Sequence, residues 1–380
     1  LAQNSSVEVT AADSTNNPRY RTLAATAGQI YRVRAFPDMD AVPAAARSLL
    51  LIIRNPAGKT IRRAYSNTGN PIRASDDWME RSPAELEAEM HDAEMGCAGA
   101  THLDILFQAA EDGIYSIGLA QMTNTDMSRG NMSIHEFTLQ WRGKLHPFND
   151  EDHAMFDFGQ PGTFALLGPP ANGTLTLRVD DVTTTLAPLS EPEQSAMDDL
   201  RSSERGVGVP EYVWDPNEHP CVWGGEYSGL NTGCCLTNDV DGNVLASITS
   251  LDLNLWWNLH RGAHQTAEIV GTLPNSMANL SSLRSLFVGP SEISGTIPAG
   301  IASLPLQRLV IDNSQQWGFA PEAPPTMQHY IMRGAGYISG TVPSTLGAAH
   351  ALRNFIFSGM DRISGTLPSM CGHQTLGQVI

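Results

Sequence analysis

Three stretches of the 380-residue chain gather oxygen and imidazole ligands closely enough to suggest a cation. Asn238-Asp-Val-Asp-Gly-Asn243 sets oxygens at alternate positions, as a calcium loop does, but lacks the distal bidentate Glu that closes such a site. A plain turn is the simpler reading. Asn149-Asp-Glu-Asp-His153 concentrates carboxylates on a linker and reads as a solvated loop. His91 shares a helix face with Glu87 and Glu94 at metal-ligand spacing, yet charges on an acidic helix are ordinarily just hydrated. No metal and no cofactor is expected.

Signatures of catalysis are missing. The chain has no Gly-x-Ser-x-Gly elbow, no His-Glu-x-x-His, no Cys-x-x-Cys and no phosphate-cradling loop ending in Lys-Ser/Thr. The reading is therefore non-enzymatic. Net charge is −17, and a surface that acidic repels phosphate backbones, which argues against nucleic acid as a partner. No apolar run approaches the length of a membrane helix; the longest, Ser48–Ile53, has strand length. The sequons at Asn4, Asn131, Asn172 and Asn279 permit N-glycosylation. The five cysteines are Cys97, Cys221, Cys234, Cys235 and Cys371.

The elements that must position these residues are clearest in the C-terminal third. Gly271-Thr-Leu-Pro274, Gly295-Thr-Ile-Pro298, Gly340-Thr-Val-Pro343 and Gly365-Thr-Leu-Pro368 share one pattern, and Gly318-Phe-Ala-Pro321 is a degenerate copy. Their prolines are then 24, 23, 22 and 25 residues apart. Upstream of the repeats lie apolar triplets at offsets 0, 3 and 5: Ile248/Leu251/Leu253, Leu283/Leu286/Val288, Leu306/Leu309/Ile311, Met327/Tyr330/Met332 and Leu352/Phe355/Phe357. Leu376 and Val379 open a sixth, which predicts that the natural chain continues past 380. Each turn lays one short strand beside the last, and stacked neighbours bury a face that no single turn can bury alone.

The Leu-x-x-Leu-x-Leu consensus with Ser-Gly-Thr-Ile-Pro resembles the plant-specific class of leucine-rich repeats. The segment ahead of it resembles that family's N-terminal cap: Ala196, Met197 and Leu200 on a short helix, then Trp214, Pro220-Cys221-Val-Trp223-Gly-Gly225, Cys235 and Gly242-Asn-Val244. Cap and repeats together span about half the chain. Departures are Ser291, Ser314, Ala335 and Met360 where the family places a ladder of Asn, an insertion around Trp256–Gln265, and vicinal cysteines where one is usual. The resemblance implies a cap disulfide between Cys221 and Cys235 or Cys234, closing a loop of about fourteen residues and contributing roughly 3 kcal/mol. The remaining vicinal cysteine is left for Cys97, and Cys371 stays unpaired or bonds another chain.

The N-terminal half reads as an antiparallel β-sandwich, from short apolar or alternating runs at Gln29–Arg34, Leu49–Ile53, Leu103–Phe107, Gly113–Leu119 and Phe137–Trp141 separated by turn residues. Ala27-Gly-Gln-Ile-Tyr-Arg-Val-Arg and Asp112-Gly-Ile-Tyr-Ser-Ile loosely resemble the jelly-roll domains appended to secreted bacterial peptidases. Ser82-Pro83-Ala-Glu85 opens a helix through about Met95. The expected organisation is a sandwich over 1–145 with an acidic helical insertion near 76–97, a linker with further strands over 146–189 (a run at Thr163–Val179 among them), a cap over 190–247 and a leucine-rich-repeat solenoid with a short parallel β-sheet over 248–380.

Within each repeat strand, the residue between the second and third core positions points away from the core, because side chains alternate. That row holds Asp252, Phe287, Val310, Ile331, Ile356 and Ile380. Its flanks are polar: Ser285, Arg308, His329 and Asn354 on one side, and Gly289, Asp312, Arg333 and Ser358 on the other. The expectation is an exposed apolar stripe with a polar rim on the concave face, the make-up of a protein-binding surface. The alternative is a stripe covered from within the chain. The function expected is an extracellular structural or protein-binding subunit of a cell-surface, matrix or filamentous assembly, whose partner includes further copies of the chain. Second comes a receptor or adhesion ectodomain that grips a peptide or glycan on the concave face.

Overall fold

In the computed structural model, the residues described are 5–10, 19–37, 48–58, 60–67, 97, 103–122, 174–207, 217–223, 230–253, 268–289, 291–312, 314–334, 337–370 and 378–379. The expected helix at 82–95, the run at Phe137–Trp141, the Asn149–His153 loop, the insertion at Trp256–Gln265, Cys371 and the sequons at Asn4, Asn131 and Asn172 lie outside them. The chain is mostly β and divides into two compact units. One is Leu1–Leu186 with Asn238–Val244; most of Ala187–Ile380 forms the other.

The strands of the first unit are β1 (Ser5–Thr10), β2 (Arg19–Ala25), β3 (Ile30–Pro37), β4 (Ser48–Arg54), β5 (Thr60–Asn67), β6 (Leu103–Gln108), β7 (Gly113–Met122) and β8 (Thr174–Asp181). They form two four-stranded sheets, ordered β1-β8-β3-β6 and β2-β7-β4-β5, with antiparallel pairing throughout. β8 overlaps the run Thr163–Val179, which the sequence reads as one or two strands finishing the sandwich; it is interior to its sheet and sets Val179 beside Val33. Alternation explains the core. Leu23, Tyr31, Val33, Leu51, Ile53, Tyr115 and Ile117 are every-second residues of four strands, and all belong to one apolar cluster with Phe107 and Val179. Phe107 stacks on Tyr31 at 5.3 Å between ring centroids. On the other side of β3, Arg32 is buried against Asp104, its Nε donating to Oδ1 at 2.8 Å, while Nη1 donates to Asn238 Oδ1 at 2.8 Å.

The second unit opens with α1 (Glu191–Ser203) and β9 (Glu204–Val207). Ser190 Oγ donates to Glu193 Oε2 at 2.7 Å, a side-chain bond that caps the first turn of α1. The other oxygen of Glu193 accepts from the backbone N–H of Ile248, so the cap also fixes the helix to the first repeat. Ala196, Met197 and Leu200 are fully buried, as expected. The remaining strands are β10 (Leu230–Asn238), β11 (Val244–Leu253), β12 (Glu268–Thr272), β13 (Ser285–Val288), β14 (Ser291–Thr296), β15 (Arg308–Asp312), β16 (Ser314–Phe319), β17 (His329–Arg333), β18 (Tyr337–Thr341), β19 (Asn354–Ser358), β20 (Ile363–Ser364) and β21 (Gln378–Val379).

They build two sheets: β10-β11-β13-β15-β17-β19-β21 and β20-β18-β16-β14-β12-β9. From β11 to β21 the first is a parallel ladder in the register the triplets dictate, with Leu251, Leu286, Leu309, Tyr330, Phe355 and Val379 side by side. The prolines of the repeat motif end the second-sheet strands and start short 3₁₀ turns at Asn275–Asn279, Ala299–Ser303 and Ser344–Ala348. Each turn drops one apolar side chain, Met277, Ile301 or Leu346, into the interior. Among the described residues, no helix is long and apolar enough to cross a membrane.

Candidate binding surface

The row expected to line an open concave face is in register: Asp252 pairs with Phe287, then Val310, Ile331 and Ile356 follow across the ladder. It is not open. Phe287, Val310, Ile331 and Ile356 retain 5, 3, 2 and 1% of their exposure. Arg308 and His329 of the flanking column are buried as well. Asn354 Nδ2 lies 3.1 Å from His329 Nδ1, and Arg333, partly buried, lies 4.0 Å from Asp312. The alternation was read correctly, but pointing away from one core does not mean pointing at water. A parallel strand covered on both faces is written as a continuous apolar run, and Leu309-Val-Ile311 and Tyr330-Ile-Met332 are such runs. The stripe in this structure is interior.

The cysteines follow the same alternation. Cys221 bonds Cys234, with Cα atoms 5.8 Å apart, which corrects the choice of Cys235 as first partner. Successive residues of a strand face opposite ways, so only one of a vicinal pair in β10 can meet Cys221. Cys235 and Cys97 are each disulfide-bonded too. Beside the bridge, His219 Nδ1 accepts the N–H of Cys221 at 3.1 Å and Nε2 lies 3.2 Å from the carbonyl of Ala187. That pattern assigns the neutral ring with its proton on Nε2, and burial lowers the pKa to about 4.

Asn238–Asn243 folds as a turn. Asp239 Oδ1 accepts the N–H groups of Asp241 and Asn243, and Oδ2 accepts from the Asn243 side chain. These bonds, led by the side chain of Asn243, hold the carboxyl below its ordinary pKa. The carboxylate is thus turned onto its own backbone, an Asx-type turn. Among the described residues, no cluster of His, Cys, Asp or Glu has metal-site geometry. Asn279, itself exposed, ends a 3₁₀ turn.

A different surface is open, on the second sheet. Its sequence rule is Ser-Gly-Thr. In three of the turns the Ser hydroxyl donates to the Gly carbonyl of the turn before: Ser294 to Gly271 at 3.3 Å, Ser339 to Gly318 at 3.1 Å and Ser364 to Gly340 at 3.4 Å. Gly295, Gly318, Gly340 and Gly365 have positive φ and each lies under a side chain of the preceding turn. A Cβ on Gly295 would come within 3.0 Å of Thr272 Cγ2, and one on Gly318 within 3.2 Å of Thr296 Cγ2. Glycine is needed for conformation and for the close approach together.

β16 breaks this rule at both hydroxyl positions. It reads Trp317-Gly318-Phe319, with Trp where its neighbours have Ser and Phe where they have Thr. Trp317 is 54% exposed and Phe319 76%. Tyr337, the Cα partner of Trp317 on β18, is 56% exposed, and the guanidinium of Arg362 sits 5.6 Å over its ring. The underside of Phe319 rests on Gly340. Three aromatic rings therefore stand together on one face, bordered by Thr296, Ser339 and Thr341. None was singled out from the sequence, although the loss of both hydroxyls in one repeat was a readable signal.

No family model matches the chain, and no curated protein does. Solved structures similar to it include the PEPR1–AtPEP1 complex, at 17% identity and a TM-score of 0.33 over 49% of this chain and 24% of that one. The BIR3–SERK2 complex from Arabidopsis thaliana is similar at 22% identity and a TM-score of 0.33, over 48% of this chain and 92% of the other. So is the leucine-rich-repeat ectodomain of the Arabidopsis thaliana receptor kinase SOBIR1, at 16% and 0.29, over 48% and 99%. The chain thus spans about a quarter of the length of the PEPR1 chain.

Proposed function

We propose that the chain is a non-enzymatic extracellular recognition protein, of adhesion or receptor-ectodomain type, built as a β-sandwich joined to a capped leucine-rich-repeat solenoid. Its binding face is the outer surface of the second repeat sheet. The single observation that carries this is the exposed trio Trp317, Phe319 and Tyr337 on a face whose neighbouring turns carry Ser294 and Thr296, or Ser339 and Thr341, where β16 has Trp and Phe. Packing alone is satisfied there by Ser and Thr, so large rings held in water call for another explanation, and an exposed aromatic patch usually marks an interaction site. Disulfides at Cys97, Cys221, Cys234 and Cys235 fit an oxidising compartment. A structural subunit that assembles through the Phe287–Ile356 row loses the exposed stripe that motivated it, since that row is buried.

The test is a mixed array of extracellular peptides and glycans probed with the 380-residue protein and with a Trp317→Ser/Phe319→Thr double variant. We expect hits that the double variant loses. An absence of hits, or hits equally strong with the variant, contradicts the assignment of this face.

A further inference from the structure

We infer that the Trp317–Phe319–Tyr337 surface is a stacking platform for a neutral polysaccharide; this rests on the assignment of that face as the binding surface. The argument starts from shape. Trp317 and Phe319 are two residues apart on one strand, so their rings project from the same side about 7 Å apart, and Tyr337 stands about 5 Å away on the adjacent strand. Rings side by side on a sheet make an apolar surface rather than a pocket, with the Arg362 guanidinium over one face of Tyr337. The C–H faces of pyranose rings are flat, apolar and repeated along a chain, and the negative face of an aromatic ring attracts those C–H groups. Hydroxyls at the edge of each sugar need polar neighbours, and Thr296, Ser339, Thr341 and Arg362 border the floor.

Size decides against a protein partner. With 54, 76 and 56% of the three side chains open, the aromatic floor exposes on the order of 400 Å². A stable protein interface or a second copy of this chain needs roughly 800 Å² per partner. Charge decides among polymers. At a net charge of −17, single-stranded nucleic acids and polyuronates, which also stack or adsorb, are repelled over the Debye length, and Arg362 is held over Tyr337. A neutral chain pays no such penalty.

The sister repeats supply the control. Trp317→Ser and Phe319→Thr restore the hydroxyl pair that Ser294/Thr296 and Ser339/Thr341 carry, so the double variant keeps the packing rule of its sheet. Affinity electrophoresis of the 380-residue protein in gels containing hydroxyethyl cellulose, xylan, β-1,3-glucan or alginate, with pull-down on chitin, reads the outcome. We expect retardation by at least one neutral polysaccharide, roughly tenfold or more weaker for the double variant and only slightly weaker for Trp317→Phe. Circular-dichroism melting checks that the double variant is folded; if it melts early, the single Phe319→Thr, at a largely exposed position, carries the comparison. No retardation by any neutral polysaccharide, equal retardation of variant and parent, or retardation by alginate alone overturns the inference. So does a sedimentation profile in which the double variant converts dimer to monomer, which would make a second copy the occupant. If the array yields only peptides, and the double variant loses them, the face is a binding surface but not one for sugars.

Discussion

At the scale of single residues, His219 shows how far the fold controls a charge. Its ring accepts a backbone N–H on one side and faces a carbonyl on the other, an arrangement that suits only the neutral form. Burial holds its pKa at about 4, below the ordinary 6.5. The unfolded chain therefore takes up the proton first as pH falls. The stability this ring contributes is complete above about pH 6.5, is lost progressively down to about pH 4 and changes no further below. The loss amounts to about 3 kcal/mol. Urea midpoints at pH 7 and pH 4.5 should differ more for the parent than for His219→Gln, and equal differences would contradict the assignment. None of this was legible in the sequence, where His219 is simply a residue before Pro220. Its environment depends on Ala187, 32 positions upstream. Gln316 is similar. It occupies the inward position that Ile293 and Ile338 hold in neighbouring turns, is fully buried and has no partner for its Oε1 among the described residues.

At the scale of elements, the sequence was read well wherever one period governs the chain. The triplets at offsets 0, 3 and 5 set the register of five parallel strand pairs without error, because each triplet has one way to share a core with the next. What failed was the fate of the opposite face. Alternation tells which side of a sheet a residue is on and is silent about what lies over that side, and the continuous apolar runs of β15 and β17 were the overlooked sign of cover on both. The second sheet was legible as a motif and illegible as a surface, since the motif was taken for its regular members rather than its exception. Its glycines make a direct claim about elements. Gly295 has φ of +84° and a neighbour 3.0 Å from the site of a Cβ. Gly295→Ala should destabilise the protein by about 1–3 kcal/mol, seen as a lower melting temperature, whereas an unchanged melting temperature would mean that the turns are not stacked this closely.

At the scale of the whole molecule, the two units express different halves of the same physical economy. The first gathers one apolar cluster from the strands of its two antiparallel sheets; the second sets parallel strands in register, so that each adds its apolar residues to those of the strand before. Burial of the row through Ile331 leaves the repeat unit with one face committed to packing and another that presents rings to water. The central claim is this division of labour, and hydroxyl-radical footprinting with mass spectrometry tests it most directly. Trp317, Phe319 and Tyr337 should be modified at rates close to those of free side chains and should become protected when a binding polysaccharide is added. Phe287, Val310, Ile331 and Ile356 should stay unreactive in both conditions. Rapid modification of Ile331 and Ile356, with Trp317 and Phe319 indifferent to added ligand, would contradict the account.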